Sequence, residues 1–249
     1  MQSRRQHASA RTGEPRSAGG GRTADRNLND IAYRTIKDDI ISCALQPGED
    51  ISEGVLAARY RLGKAPIRSA MMRLRQEGLV VSRGRQGNAV SAVTLRDVQE
   101  VFQLRLVLEV TAVRLAAGKV DATRLRSLNE AAHAAWSPGD ETSESTYLRA
   151  NRELHRYVAE SSGNQRLAEL VAGLMEQHER IVRLGLALQN REHEFHHFHD
   201  DLVDALIEGD GDRAAQLTEA ALRGGQRKVM EALSDSAVQV PLGRMDLGS

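Results

Sequence analysis

The chain has 249 residues, room for one large domain or two ordinary ones. Hydrophobic residues make up 41% and aromatics only 3%, so Ala, Leu and Val must fill the core, which points to helices. A single cysteine, Cys43, excludes an intrachain disulfide framework, and no apolar run reaches the roughly 18–20 residues of a membrane span. Arg4-Arg5 has no apolar stretch behind it, so no secretion signal is read and the expectation is a cytoplasmic protein with no membrane partner.

Residues 1–27 are rich in Arg, Ser, Gly and Ala without periodicity, and are expected to be a disordered basic tail. A region from about 28 to 93 follows. "DIAYRTIKDDIISCAL" has helical spacing and stops before the turn signal Pro47-Gly48. Ser52 stands where an N-cap belongs, ahead of "EGVLAARY". After a break at Arg61-Leu62-Gly63 comes "KAPIRSAMMRLRQEG", with Pro66 in its first turn and Gly78 at its end. "LVVS" and "NAVSAV" read as two short strands joined by the turn "RGRQG". This order is that of a winged helix-turn-helix.

Net charge is zero, yet Arg59 to Arg85 holds eight basic residues against one acid, Glu77. A segment this basic suits a phosphate backbone; a solvated helix face is the plainer alternative. Lys64, Ala65 and Arg68 occupy the end of a recognition helix that enters the major groove, where Arg pairs with guanine edges. Arg73 and Arg75 lie further along and suit phosphate positioning. Arg83, Arg85, Gln86 and Gly87 form the wing, with Gly87 permitting close backbone approach to the duplex.

The stretch "LQPGEDISEGVLAARYRLGKAPIRSAMMRLRQEGLVVSRGRQGNAV" resembles the DNA-binding domain of GntR-family bacterial transcription regulators. The resemblance rests on Pro47-Gly48, Leu56-Ala57, Pro66, Arg68, Ala70, Leu74, Glu77-Gly78-Leu79 and Gly87. Gly63 stands where the family has a Ser or Thr cap, Arg61 where it has a turn glycine, and Lys64-Ala65 where it often has Arg-Thr. The first change costs only a few tenths of a kcal/mol; the last bears on the operator sequence.

From about 94 to 233 the chain reads as six helices, with breaks at 119–121, 137–141, 161–164, 190 and 209–211, followed by a second disordered tail, 234–249. "EHEFHHFHDD" holds four histidines, and His193 to His197 fits the zinc-peptidase pattern H-E-x-x-H. Taken as one helix at about 100° per residue, Phe195, Phe198, Leu202 and Leu206 share a stripe, with Val203 widening it. His199 lies on that stripe, whereas His193 and His197 point away beside Asp204 and Glu208. A zincin needs both histidines in a water-excluding cleft with a further ligand, so the metallohydrolase is the minor alternative and no enzyme is expected. In "TYLRANRELHRYVAE", Tyr147, Leu148, Leu154 and Val158 form the apolar stripe, with Asn151 and His155 inside it. Their i, i+4 spacing lets both converge on one atom. Arg105 sits at the edge of a stripe formed by Val101, Leu104, Leu108, Ala112 and Leu115, with Glu109 four residues on. It serves either as a clamp for an effector carboxylate or as an i, i+4 partner of Glu109.

"VFQLRLVLEVTAVRLAA", "NRELHRYVAESSGNQRL" and "HDDLVDALIEGDGDRAA" resemble the FCD effector domain of FadR-type GntR regulators, and six helices favour the VanR-like subgroup. The resemblance implies a pocket for a small effector, commonly a carboxylic acid, and in many members a divalent metal such as zinc. It equates Asn151, His155 and His199 with the first three ligands, while the fourth place falls on Ala221. Two imidazoles and a neutral amide make a poor zinc site, and whether His178 substitutes is open. Metal binding, direct effector contact and a hydrogen-bonded structural cluster are the three readings of Asn151, His155 and His199. The overall expectation is a mainly α, homodimeric regulator: a winged helix-turn-helix on double-stranded operator DNA, joined to a six-helix antiparallel bundle that takes a small organic acid.

Overall fold

The computed structural model describes residues 20–84, 87–135, 140–188 and 199–237. The first unit opens with α1 (Gly20–Ile41), whose Ala32, Ile36 and Ile40 are buried at helical spacing. It packs on α3 (Lys64–Gln76) through Ile67, Ala70, Met71 and Leu74, with the short α2 (Glu53–Tyr60) anchored by Leu56. Ser52 caps α2, its hydroxyl accepting from Val55 N at 3.2 Å. Ser52→Ala should lower the stability of this domain by about 1 kcal/mol, read as an earlier thermal transition of this unit alone.

Three short antiparallel strands close the unit: β1 (Asp50–Ile51), β2 (Val80–Ser82) and β3 (Asn88–Val90), in the order β1-β3-β2. Ala89 is the register centre, opposite Asp50 on one side and Val81 on the other. The hairpin β2-β3 is the expected wing. β1 was not anticipated, because two residues carry no alternation for a pattern to register.

Six helices follow among the described residues: α4 (Leu95–Ala116), α5 (Ala122–Ala135), α6 (Glu141–Ser161), α7 (Gln165–Leu188), α8 (Asp200–Glu208) and α9 (Gly211–Ala237). α4 is central, packing on α9, α7 and α6, while α5 covers α6 and α8 lies on α9. Thr94 starts α4 with a capping box, its hydroxyl bonded to Asp97 N and its own N–H given to the Asp97 carboxylate at 2.7 Å. At the far end, Gly118 (φ 73°) donates its N–H to Leu206 O at 2.8 Å, and Gly209 (φ 81°) ends α8. Side chains disfavour such positive φ, so both positions favour glycine.

The breaks expected at 119–121, 161–164 and 209–211 coincide with helix boundaries, taking in the end residues Ser161 and Gly211, and most of the break at 137–141 lies outside the described residues. Two ends differ from expectation. α1 takes in residues 20–27, and α9 runs three residues past 234; no proline lies in either stretch, so each helix propagates outward from its packed turns. The stripe on α4 is also shifted. Leu104 is 52% and Leu115 40% exposed, while Arg105 and Glu109 are 3% exposed, at the middle of the buried face rather than its edge.

Candidate functional site

α3 presents its basic residues in a definite order. At about 100° per residue, Lys64, Ala65, Arg68, Met72 and Arg75 fall within one exposed quadrant, whereas Arg73 lies on the far side. Lys64, Ala65 and Arg68 are exposed at the N-terminal end, where Gly63 caps the helix without a side-chain bond. Arg61 holds the preceding turn in the left-handed region (φ 54°), the conformation that glycine adopts most readily. Arg68 makes a bidentate pair with Glu53 at 3.0–3.1 Å and holds that carboxyl below the usual range. Arg75 reaches Asn88 Oδ1 at 3.0 Å, and Arg83 pairs with Asp50 at 2.7 Å. Arg73 instead turns back to α1, pairing with Asp30 at 2.8 Å and lying 3.7 Å from the centre of the Tyr33 ring. Gly87 (φ 94°) turns the wing, and an added Cβ there would meet nothing; Arg85 and Gln86 lie outside the described residues.

The second constellation lies inside the helical unit, around a cavity of about 540 Å³ counted with its open mouth. α4 supplies Phe102 and Arg105, and α6 supplies Tyr147, Leu148, Asn151 and His155. His178 and Val182 come from α7, and Ala221 and Leu222 from α9. His199 and Leu202 complete it at the start of α8. Apolar walls with a few polar groups are the usual make-up of a small-molecule pocket.

Arg105, Asn151, His155 and His199 were all expected here, and all four line this one cavity. Glu109 joins two of them from behind. Its Oε1 accepts from Arg105 Nε at 2.5 Å, and its Oε2 lies 2.7 Å from His155 Nδ1. Burial alone would raise the Glu109 carboxyl, but the Arg105 charge and the His155 bond outweigh it and hold it well below the ordinary range. Because a carboxylate only accepts, Nδ1 of His155 must carry the hydrogen, which leaves Nε2 as the other working nitrogen. Arg105 is therefore the i, i+4 partner of Glu109 and also lines the cavity.

His199 reaches the cavity by a different route from the one its spacing suggested. It is 7% exposed and is the N-cap residue of α8 (φ −110°, ψ 18°), so it precedes the helix instead of sitting within it. Asp200 pins this start: Asn129 Nδ2 donates to it at 2.6 Å, and His133 Nε2 lies 3.4 Å away. The His155 and His199 rings meet edge to face with centroids 5.1 Å apart. His193, His196 and His197, with the break at 190 and the start of the helix on which the H-E-x-x-H pair was placed, lie outside the described residues.

A divalent metal has to be tested against these donors. The ligand positions hold Asn151, His155 and His199, and the fourth is the methyl of Ala221, which lines the same cavity. His178 is also on the wall, edge-on to Phe102 at 5.4 Å. Among the described residues no group of three or more His, Cys, Asp or Glu side chains is arranged to hold a metal. The residues present do not fit the family's metal centre. Phe102, Thr218 and Gly225 were missed as wall residues; each sits at the inner turn of its helix, a position periodicity marks as core without marking a cavity.

Comparisons with known proteins cover both units. Residues 28–90 match bacterial regulatory proteins of the gntR family, and residues 100–224, half of the chain, match the FCD domain. The chain belongs to the GntR family, with an FCD domain. Its members are DNA-binding transcription regulators, not enzymes. One relative is the HTH-type regulator YdhC of Bacillus subtilis, 32% identical over 142 residues. That alignment covers 56% of this chain and 62% of YdhC, so it spans less than two thirds of the relative. The HTH-type transcriptional repressor RspR of Escherichia coli is 20% identical over 86% of this chain and 90% of its own length. The fold matches that of a GntR regulator from Rhodococcus sp. RHA1, with a TM-score of 0.69, 21% identity, and coverage of 83% of this chain and 99% of that one. No helix among the described residues is long and apolar enough to cross a membrane.

Proposed function

We propose that this GntR-family chain is an effector-responsive repressor, with a winged domain on an operator half-site and an FCD cavity that takes a small carboxylic acid. The observation that carries the ligand reading is the meeting of Arg105, Asn151, His155 and His199 on one cavity whose remaining wall is largely apolar. A carboxylate of modest size would find the Arg105 guanidinium and the Asn151 amide at one end and Phe102, Leu148 and Val182 around its carbon skeleton. The absence of a fourth donor at Ala221 favours the acid over a metal in the same place. The name of the relative RspR supports repression as the direction of control. Leu104, Val107 and Leu115 leave an exposed apolar stripe on α4 beside Thr111, which supports a homodimer that pairs two half-sites.

A thermal-shift series with acetate, lactate, benzoate and succinate tests the cavity. Ligand binding to the native state alone raises Tm, by an amount that grows with ligand concentration. His199→Ala should abolish the shift given by any responding acid. Equal shifts in both proteins would place that acid elsewhere.

A further inference from the structure

α7 works on two opposite sides. His178 and Val182 face the cavity, while Glu176 and Arg180 face the DNA-reading unit. At about 100° per residue the two pairs lie roughly 120–160° apart around the helix, so one rigid rod separates the cavity from the winged domain. The contacts on the second side are specific. Lys37 Nζ of α1 lies 2.7 Å from Glu176 Oε2 and 3.0 Å from Glu77 Oε2. Glu77 is the C-cap residue of the recognition helix α3, and Tyr33 donates its hydroxyl to Glu77 Oε1 at 2.6 Å while accepting from Lys37 at 3.1 Å. Lys37 is half-buried; desolvation would lower its pKa, but its bonds to Glu176, Tyr33 and Glu77 raise it, so the ammonium stays charged.

A second tie runs alongside. The buried Arg180 donates through Nη2 to the carbonyl of Ser91, in the linker between β3 and α4. Ser91 is in turn fastened to the wing side by its hydroxyl on Gly78 O and its N–H on Leu79 O at 3.0 Å. No carboxylate pairs with the Arg180 guanidinium in any ion pair of the described residues, and burial lowers its pKa. Its place is fixed by the linker backbone. Both ties therefore join α7 to the end of the recognition helix and to the turn that follows it.

We propose that the Glu176–Lys37–Glu77 bridge, with Arg180 on Ser91, is the latch through which the state of the cavity reaches the recognition helix. The proposal rests on the cavity being the control site. A ligand seated against His178 and Val182 displaces or fixes a helix whose other face holds the DNA-reading unit, and the bridge transmits that change to Glu77 in one charged step on each side of Lys37. With the bridge cut, the cavity fills as before and the winged domain no longer follows.

A double-mutant cycle tests this on the full-length protein without an identified effector. Ala221→Leu fills part of the cavity, Glu176→Ala cuts the bridge, and affinity is read for a DNA fragment from upstream of the protein's own gene. Ala221→Val replaces Ala221→Leu if the larger side chain spoils the cooperative melt. Glu169→Ala, two turns away on α7 and bonded within that helix to Gln165, is the control for charge loss. Coupling energies of the usual size predict that cavity filling changes DNA affinity about five-fold or more with the bridge intact. With the bridge cut it changes less than about two-fold, and Glu169→Ala behaves as the intact protein. Equal changes with and without the bridge, or no change in either, overturn the latch. The acid series run on the same proteins separates the two ideas. Thermal shifts in both proteins with an additive cycle leave the cavity reading standing and the latch refuted. A non-additive cycle with no shift from any acid leaves the latch standing and the acid reading refuted.

Discussion

Glu109→Ala is expected to destabilise the helical domain by about 3–5 kcal/mol, the usual cost of removing one member of a buried ion pair. At a few degrees per kcal/mol, this is a fall in Tm on the order of 10 °C. The reason lies in what remains. Arg105 is 3% exposed and would keep its charge without its carboxylate, and His155 Nδ1–H would lose its acceptor. Replacing both charges by apolar residues of similar volume, Arg105→Met with Glu109→Leu, should recover most of that stability, because no buried charge is then left uncompensated. The double variant should nonetheless lose any acid-induced thermal shift, since the guanidinium is gone. A single variant within about 1 kcal/mol of the parent would mean that the buried pair does not form.

The same pair sets a pH dependence. The Glu109 carboxyl in the folded chain titrates below its ordinary value, so the unfolded chain binds more protons in the acidic range. Its contribution is fully present above the ordinary glutamate value, about 4.3, and is lost as pH falls through that value toward the depressed folded one. Melts recorded between neutral and acidic pH should show that loss in the parent and not in the apolar double variant.

Local signals in the sequence carried the helices and most of the cavity, for reasons visible in particular residues. Pro47-Gly48, Gly78 and Gly209 are turn residues whose backbone demands are written in their identity, so the element ends near them were legible. Asn151 and His155 sit among apolar neighbours at i, i+4, which made their inward direction readable from the spacing. His199 was right in destination and wrong in local structure: the wheel assumed one helix through residue 199, and the chain starts α8 immediately after it. Arg105 and Glu109 defeated the same method, because a wheel sorts by polarity and a compensated ion pair is buried despite being polar. Lys37 and Glu176 are 139 positions apart and bear no mark of each other, since no local periodicity encodes an ion pair between two domains.

On the DNA-reading face, Arg68→Ala should weaken binding to the operator about ten-fold or more and relax sequence preference at one base position, as expected for loss of a bidentate guanine contact. Lys64→Ala and Arg75→Ala should act differently. Each should weaken binding to all sequences alike and reduce the slope of log K against log salt by about 0.9, the signature of one lost phosphate contact. Arg73→Ala should leave that slope unchanged, because its guanidinium is held by Asp30 and Tyr33 on the scaffold side of α3. Glu53 gives an internal check. It occupies the Arg68 fork at 3.0–3.1 Å in the free chain, so DNA must displace it. Glu53→Gln should raise operator affinity a few-fold by leaving the fork unpaired before contact, and the gain should vanish in an Arg68→Ala background. If the gain persists without Arg68, Glu53 acts only by repelling phosphate, and base reading belongs to Lys64 and the wing.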